Sequence, residues 1–591
     1  MKRNEVNKKY HWDLSAMVDS DKTFERLFGE VEAALPELEA YKGRLGNRDD
    51  ALACFKFESA VSEKFELIYI YSHMYKDEDA SNNAAMSMSV RTDGLAAKYG
   101  AAASFIGSEL GALDEAVLES YIQDPEFCDY DFMLKEIIRK KAHILSDKEE
   151  RLLAMGSEAL GTTYHVAHML FDADMKFKPV RKDGKKIELT NESYGELLAD
   201  PDRKVRRSAF NNLYDGYIAH INTLAANYAG NVKADNFYAT ARGYKDCLES
   251  SLFGDGVPTG VYENLIAAVN KNFAPLHRYI ALRKKLLGLK EQHMYDLYVP
   301  IVENAEMKLP YEKACETVKT ALAPMGDEYV GLLDRAMTEG WIDVMPNDGK
   351  RGGAYSWSAY AAHPYVLLNY APTTEDIFTL AHELGHCLHS YYSQNGQPYS
   401  KWDYRIFVAE VASICNETLL DDYLMKNVGD DNIKKYLLSL RLNRFRTTLF
   451  RQAMFAEFEY NAHKMDLEGK PLTVDSLCGL YLDLNKKYYG ADVVSDDRIA
   501  YEWARIPHFY KAFYVYKYST GMTAATSIAH NILGRPGYVD VYKNKFLKAG
   551  GHKLPYEILC DAEVDLATTK PYDDAFVFFN EALDELEKLC K

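Results

Sequence analysis

No stretch of about 18 consecutive apolar residues occurs in the chain, which excludes a membrane-spanning helix. The first residues, MKRNEVNKKYHWDLSAMVD, are basic at the start but lack the apolar core of a secretory signal. Cysteine pairing motifs are missing too. The nine cysteines stand singly at 54, 128, 247, 315, 387, 415, 478, 560 and 590, and none has C-x-x-C spacing. An odd, scattered set reads as reduced thiols, mostly buried, in a cytoplasmic protein. Basic residues are in deficit, 70 Lys and Arg against 88 Asp and Glu, for a net charge of −18. That balance argues against an extended nucleic-acid footprint. No repeat of fixed period and no low-complexity tract is present, and 47% hydrophobic with 27% charged residues excludes bulk disorder, collagen and a coiled-coil rod.

What is abundant is helix-forming pattern and tyrosine. The 591 residues hold 44 Tyr against 26 Phe and 5 Trp. So many apolar rings with a polar tip suit either a wet cleft or the edges of a core. Segments 23–41, 146–160, 202–233 and 433–464 carry apolar residues at mixed three- and four-residue spacing, which predicts helices. Two places break that pattern. Residues 175–189 alternate around Asp183-Gly184, a hairpin signal. Residues 365–370 form a short aromatic and aliphatic run between Pro364 and Pro372, and read as a strand. The Asp200-Pro201-Asp202 break suggests a boundary. On this reading residues 1–200 are a helical region with a small hairpin, and 201–591 hold every catalytic candidate.

The most informative segment follows Pro372. Thr373-Thr374-Glu375-Asp376 has capping-box form, so a helix should start there. Ile377, Ala381, Leu384 and Leu388 then form a core-facing stripe. Beside it stand His382 and His386, about 40° apart around the axis and one turn apart along it. Both imidazoles can reach one metal ion, and Glu383 projects to where it can take a proton from a water on that metal. This is H-E-x-x-H, the spacing of a zinc hydrolase. The extended pattern with a third histidine fails, because its glycine and final histidine positions hold His389 and Tyr392. The third ligand must come from a later element. Residues 407–417, FVAEVASICNE, offer Glu410 and Glu417 within about 20° of one helix face. One can bind the metal while the other hydrogen-bonds a ligating histidine from behind. His389 lies near the same face, but three imidazoles converge poorly from one straight helix. It reads as a supporting or satisfied polar residue.

HELGH together with FVAEVASICNE resembles the M3 family of zinc oligopeptidases, and within it the oligoendopeptidase F group. The resemblance runs nearly end to end and includes KRGGAYS, PYVLLNY and a C-terminal His-Tyr segment. It implies a mainly α-helical bowl around a deep channel, with small β elements and residues 1–200 forming part of the channel wall. It implies cleavage of short peptides in the cytoplasm with one Zn2+ per chain. By residue match it makes His382, His386 and Glu410 the ligands, Glu383 the general base, and Glu417 the partner behind a ligand.

The resemblance also gives the segment 506–521 a role across from the zinc. His508 matches best, and Tyr514 and Tyr518 are the better tyrosine candidates for stabilising the oxyanion. By spacing alone Tyr510, Tyr514 and Tyr518 form one helical stripe, which otherwise means core packing. Gly352, Gly353 and Ala354 read as a strand edge where substrate backbone can add by main-chain hydrogen bonds. The competing readings are a zinc carboxypeptidase or dipeptidyl carboxypeptidase of the same architecture, and a peptide-binding protein without catalysis. The expected partners are oligopeptides, with no nucleic acid and no membrane. The sequence leaves the oligomeric state open.

Overall fold

The computed structural model describes residues 1–302 and 305–591. Helices dominate, as the periodicity predicts, with two small sheets. The chain forms two compact units, each assembled from three separate stretches: 1–142, 307–424 and 528–563 in the first, and 143–306, 425–527 and 564–591 in the second. These divisions fall elsewhere than the break at 200. Asp200-Pro201-Asp202 lies inside the second unit. There Asp200 pairs with Lys182 at 2.6 Å, and Asp202 caps the following helix through the Lys204 N–H. A polar, proline-containing break here marks a helix start, not a boundary between bodies.

In the first unit, helices Asp21–Glu39, Arg48–Glu78 and Asn83–Ala103 pack on one another. A three-stranded sheet extends their core. Its strands β3 (Ile342–Asp343), β4 (Tyr355–Trp357) and β5 (Tyr365–Leu367) lie in the order β3-β5-β4, parallel and then antiparallel. The run before Pro372 is therefore the central strand, with Tyr365, Val366 and Leu367 all at 0% exposure, and β4 is an edge. Trp12 packs edge-on to Tyr365 at 6.2 Å, tying the amino-terminal segment to the sheet.

The second unit contains the hairpin β1 (Val180–Lys182) and β2 (Lys185–Ile187). Asp183 and Gly184 have φ of 48° and 77°, the two left-handed residues that a tight hairpin turn needs. The periodic segment 202–233 is two helices, Arg203–Ala219 and Ile221–Ala241, because His220 leaves helical geometry at ψ 10°. Segment 433–464 is likewise divided. Helices Asp431–Arg444 and Arg451–Leu467 flank a wider π turn at Phe445–Phe450. Much of the tyrosine excess lies inside the core rather than at its edges. Tyr262 is buried with its hydroxyl donating to the Ala456 carbonyl at 2.7 Å, and Tyr329 donates to Asn416 at 2.9 Å. All nine cysteines are free thiols. No described helix is long and apolar enough to cross a membrane.

Candidate metal centre

The helix Thr374–Gly396 starts where its cap predicts. Thr373 accepts the Asp376 N–H at 3.2 Å and donates to the Asp376 carboxylate. Ile377, Ala381, Leu384 and Leu388 are fully buried, which fixes the rotation of the helix and leaves His382 and His386 on a partly open face. The helix Ile406–Asn427 crosses it closely. A Cβ at Gly385 would stand 2.5 Å from Ser413 Cα and 2.8 Å from the Ala412 carbonyl oxygen, so only glycine permits the approach. Asn416 ties the crossing by donating to the Ala381 carbonyl at 3.2 Å.

That crossing brings three donor atoms together. His382 Nε2 and His386 Nε2 are 3.2 Å apart, and Glu410 Oε2 lies 3.4 and 3.6 Å from them. Ligands at about 2.0–2.1 Å from a tetrahedral zinc would be about 3.3–3.4 Å from one another. The triangle therefore fits a zinc ion. Behind it, His382 Nδ1–H donates to Glu417 Oε1 at 2.5 Å, which turns Nε2 toward the shared point. Burial pulls His382 down, but Glu410 and Glu417 outweigh it and push it up to about 10, while the two histidines hold the Glu410 carboxyl well below its usual range.

Glu383 is buried, and its Oε2 has no hydrogen-bond partner. Burial raises its pKa, opposed by His382 and His386. An unpaired buried carboxyl is costly unless something it can bond to comes and goes. Glu383, His382, His386 and Glu410 all line one recess of about 590 Å³.

His389 stays apart from this triangle. It is 1% exposed, stacks on Tyr404 at 3.7 Å and on Phe546 at 5.2 Å, and burial lowers it to about 3. It is a neutral ring in the core beneath the site. Gly352 and Gly353 form a turn, with Gly353 at φ 81° and the Arg351 and Gly353 carbonyls both accepting from Asn369. The strand edge lies just beyond. Ala354 and all of β4 line the recess with the metal triangle.

The His-Tyr segment belongs to the second unit and is not one helix. Pro507–Tyr510 is a 3-10 turn, and the helix resumes only at Tyr516. Between them Phe513 takes a φ of 52°, held by its N–H donating to the buried Glu459 carboxyl at 2.7 Å. The tyrosine stripe is thereby broken. Tyr510 packs against Phe171 and Tyr228. Tyr514 and Tyr518 instead group with the exposed His508, whose ring is 5.9 Å from each, and Tyr518 Oη is 3.3 Å from His508 Nε2. Partial desolvation of the ring and the nearby Lys511 lower the His508 pKa. Arg505 is taken up elsewhere, against Glu502 at 3.4 Å and over the Tyr194 ring.

Two contributors had only faint sequence signals. Gly385 is a glycine inside a strong helix, which costs stability and so marks a close approach. Glu459 has no local signature, because its partner lies 54 residues later.

The chain is similar to known proteins over most of its length. The model of peptidase family M3 matches residues 196–578, and a model described as oligopeptidase F matches residues 109–177. Oligopeptidase PepF of Bacillus subtilis is 41% identical, over 99% of this chain and 88% of that protein. Oligoendopeptidase-F from Enterococcus faecium, a solved structure, is 34% identical with a TM-score of 0.72, covering 96% of this chain and 99% of its own. The structure of a candidate peptidase from Chlamydophila abortus superimposes with a TM-score of 0.96 at 32% identity, over 100% of this chain and 99% of that one. A family match over most of the sequence and full-length likeness above 30% identity point the same way as the histidine-glutamate triangle, and the chain belongs to peptidase family M3.

Proposed function

We propose that the chain is a zinc-dependent oligoendopeptidase whose ligands are His382, His386 and Glu410 and whose general base is Glu383. Membership of the family makes it a metallo-endopeptidase acting on oligopeptides. The observation that carries the finer reading is the triangle of donors at 3.2, 3.4 and 3.6 Å beside an unpartnered glutamate. These three side chains would hold a zinc ion, which would supply a Lewis acid able to activate water near pH 7.

The protein's own groups do the rest. Glu383 accepts a proton from the attacking water and passes it to the leaving amine. Its burial-raised pKa suits both halves of that transfer. Glu417 orients His382 through Nδ1. Extended substrate pairs with β4, whose outer edge is open to main-chain bonding, with Ala354 beside it. Backbone pairing of this kind tolerates many side chains. His508, with Tyr514 or Tyr518, donates to the developing oxyanion. Free thiols and the absence of an apolar spanning helix among the described residues support work in the cytoplasm.

The test is product mapping by mass spectrometry on a graded peptide series, each peptide with free and with blocked ends, with chelator and with zinc added back. Internal cleavage that chelator abolishes and zinc restores is expected. Products trimmed only from free carboxyl ends would support a carboxypeptidase instead.

A further inference from the structure

The recess beside the metal triangle holds two carboxylates that hydrolysis does not use. Glu66 comes from the helix Arg48–Glu78, and Asp403 precedes the helix Ile406–Asn427. Both line the recess together with His382, Glu383, His386 and Glu410. Glu66 Oε2 accepts the Tyr360 N–H at 2.8 Å. Among the described residues no lysine or arginine pairs with Glu66 or Asp403, and none lines the recess. The cations next to Asp403 in sequence are committed elsewhere. Lys401 bonds Asp131 at 2.5 Å, and Arg405 bonds Glu136 at 2.6 Å.

Both carboxylates are open to the recess, Glu66 in part and Asp403 more fully, yet both are desolvated by the walls around them. Burial raises Glu66 to about 7, with Asp403 and Glu63 adding like-charge repulsion, and burial also raises Asp403. No cation offsets this. Ser358 adds an independent sign of a missing partner. It is 6% exposed, its hydroxyl oxygen has no hydrogen-bond partner, and it lines the same recess. Ile70, Trp357, Trp402, Tyr404 and Ile406 are among its other walls, with Tyr355, Ser356 and Ser390.

These features choose a ligand chemistry. An acidic side chain would meet two further carboxylates. A purely apolar one would desolvate them with nothing in return. A cation on an alkyl stem satisfies both, the stem along the aromatic walls and the head among acceptors. We infer that Glu66 and Asp403, with Ser358, form a subsite of this peptidase for a substrate ammonium or guanidinium group next to the scissile bond. The group is delivered by a Lys or Arg side chain or by the amino-terminal ammonium of a short peptide. The inference rests on the peptidase reading above.

The experiment uses matched chromogenic peptides that differ at one position only, carrying Lys, Arg, norleucine or Glu, each with a free or an acetylated amino terminus. The readout is the ratio of kcat/KM for the cationic peptide to that for its neutral counterpart, so each variant is its own control. Wild type should favour the cation by about tenfold or more, as expected for charge-assisted hydrogen bonds. E66Q, D403N and the double variant should drive the ratio toward one, and E66K should shift preference to the Glu peptide. A ratio that depends on the side chain identifies Lys or Arg as the source. One that depends on acetylation identifies the amino terminus. Equal cleavage of cationic and neutral peptides by wild type, or a ratio unmoved in the double variant, overturns the subsite while leaving the peptidase reading standing. Calorimetric affinities of the Lys and norleucine peptides for E383Q, with and without E66Q/D403N, test the subsite without turnover. If wild type cleaves none of the peptides, the peptidase reading fails and the calorimetric ratio alone decides the subsite.

Discussion

Among the described residues each compact unit carries one group of His, Cys and carboxylate side chains whose ligand atoms converge: His382, His386 and Glu410 in the first, and Asp235, Cys247 and His463 in the second. The first is tight and open. Its three atoms lie 3.2–3.6 Å apart, and the Glu410 side chain is 46% exposed. The second is closed. His463 Nε2 lies 3.4 Å from Asp235 Oδ2, and Cys247 and His463 are each 3% exposed. Its members are also engaged with other groups. His463 Nδ1–H donates to the Glu459 carbonyl at 2.9 Å, Asn231 donates to Asp235 at 2.8 Å, and the His463 ring packs on Phe513 at 4.7 Å. Ligand-type residues in proximity are therefore not enough. The first group has in addition Glu417 bonded behind His382, an unpartnered Glu383 oxygen and an open recess. In the second group the His463 ring packs on Phe513, the residue before Tyr514.

The harshest test of that contrast removes a ligand from the tight cluster. His382→Ala or His386→Ala should lose bound metal and peptide hydrolysis together, as read by elemental analysis and initial rates. Activity that survives full loss of metal would refute the metal reading. Next in size, Glu383→Gln should keep the metal while kcat falls by roughly 10²–10⁴-fold, the usual worth of a positioned proton-transfer group. Near wild-type turnover would mean that another group activates the water.

Removing a donor from the His-Tyr segment should be somewhat milder. His508→Ala, and Tyr514→Phe or Tyr518→Phe, should each lower kcat about 10²–10³-fold with little change in KM and full metal content. Tyr510→Phe is the control, since that ring packs on Phe171 and Tyr228. Normal kcat in all the first three variants would move the oxyanion donor elsewhere. Glu417→Gln acts one bond further away. It should weaken metal affinity about 10–100-fold in chelator competition without abolishing binding. If Glu417→Gln abolished binding and Glu410→Gln merely weakened it, the two glutamates would have exchanged roles.

Local features were legible in the sequence, and long-range ones were not. The cap at Thr373, the apolar stripe and the four-residue histidine spacing all belong to one helix, so periodicity exposes them. The Asp183-Gly184 turn is equally local. The tyrosine stripe misleads because its helical spacing is overruled by one tertiary bond, from Glu459 to the Phe513 N–H. The unit division escapes sequence reading because each unit gathers three stretches. Glu66 and Asp403 share a recess across more than 300 residues of chain, and no spacing rule links them.

The smallest expected effect is the sharpest check on the comparison. Cys247 begins the short helix Cys247–Phe253, and its thiol lies 3.7 Å from Ser251 Oγ. Cys247→Ser keeps a small hydrogen-bonding side chain and removes the one soft ligand of the closed cluster. If that cluster is a brace, wild type binds one metal per chain, the variant binds the same one, and kcat/KM on a reference peptide stays within about twofold. Stability should fall modestly, by the roughly 1 kcal/mol that trading a buried thiol for a hydroxyl costs when a partner is at hand. A melting curve measures that loss. Two metals per wild-type chain and one in Cys247→Ser would show the opposite: the closed cluster also holds an ion, and burial does not distinguish the two regions.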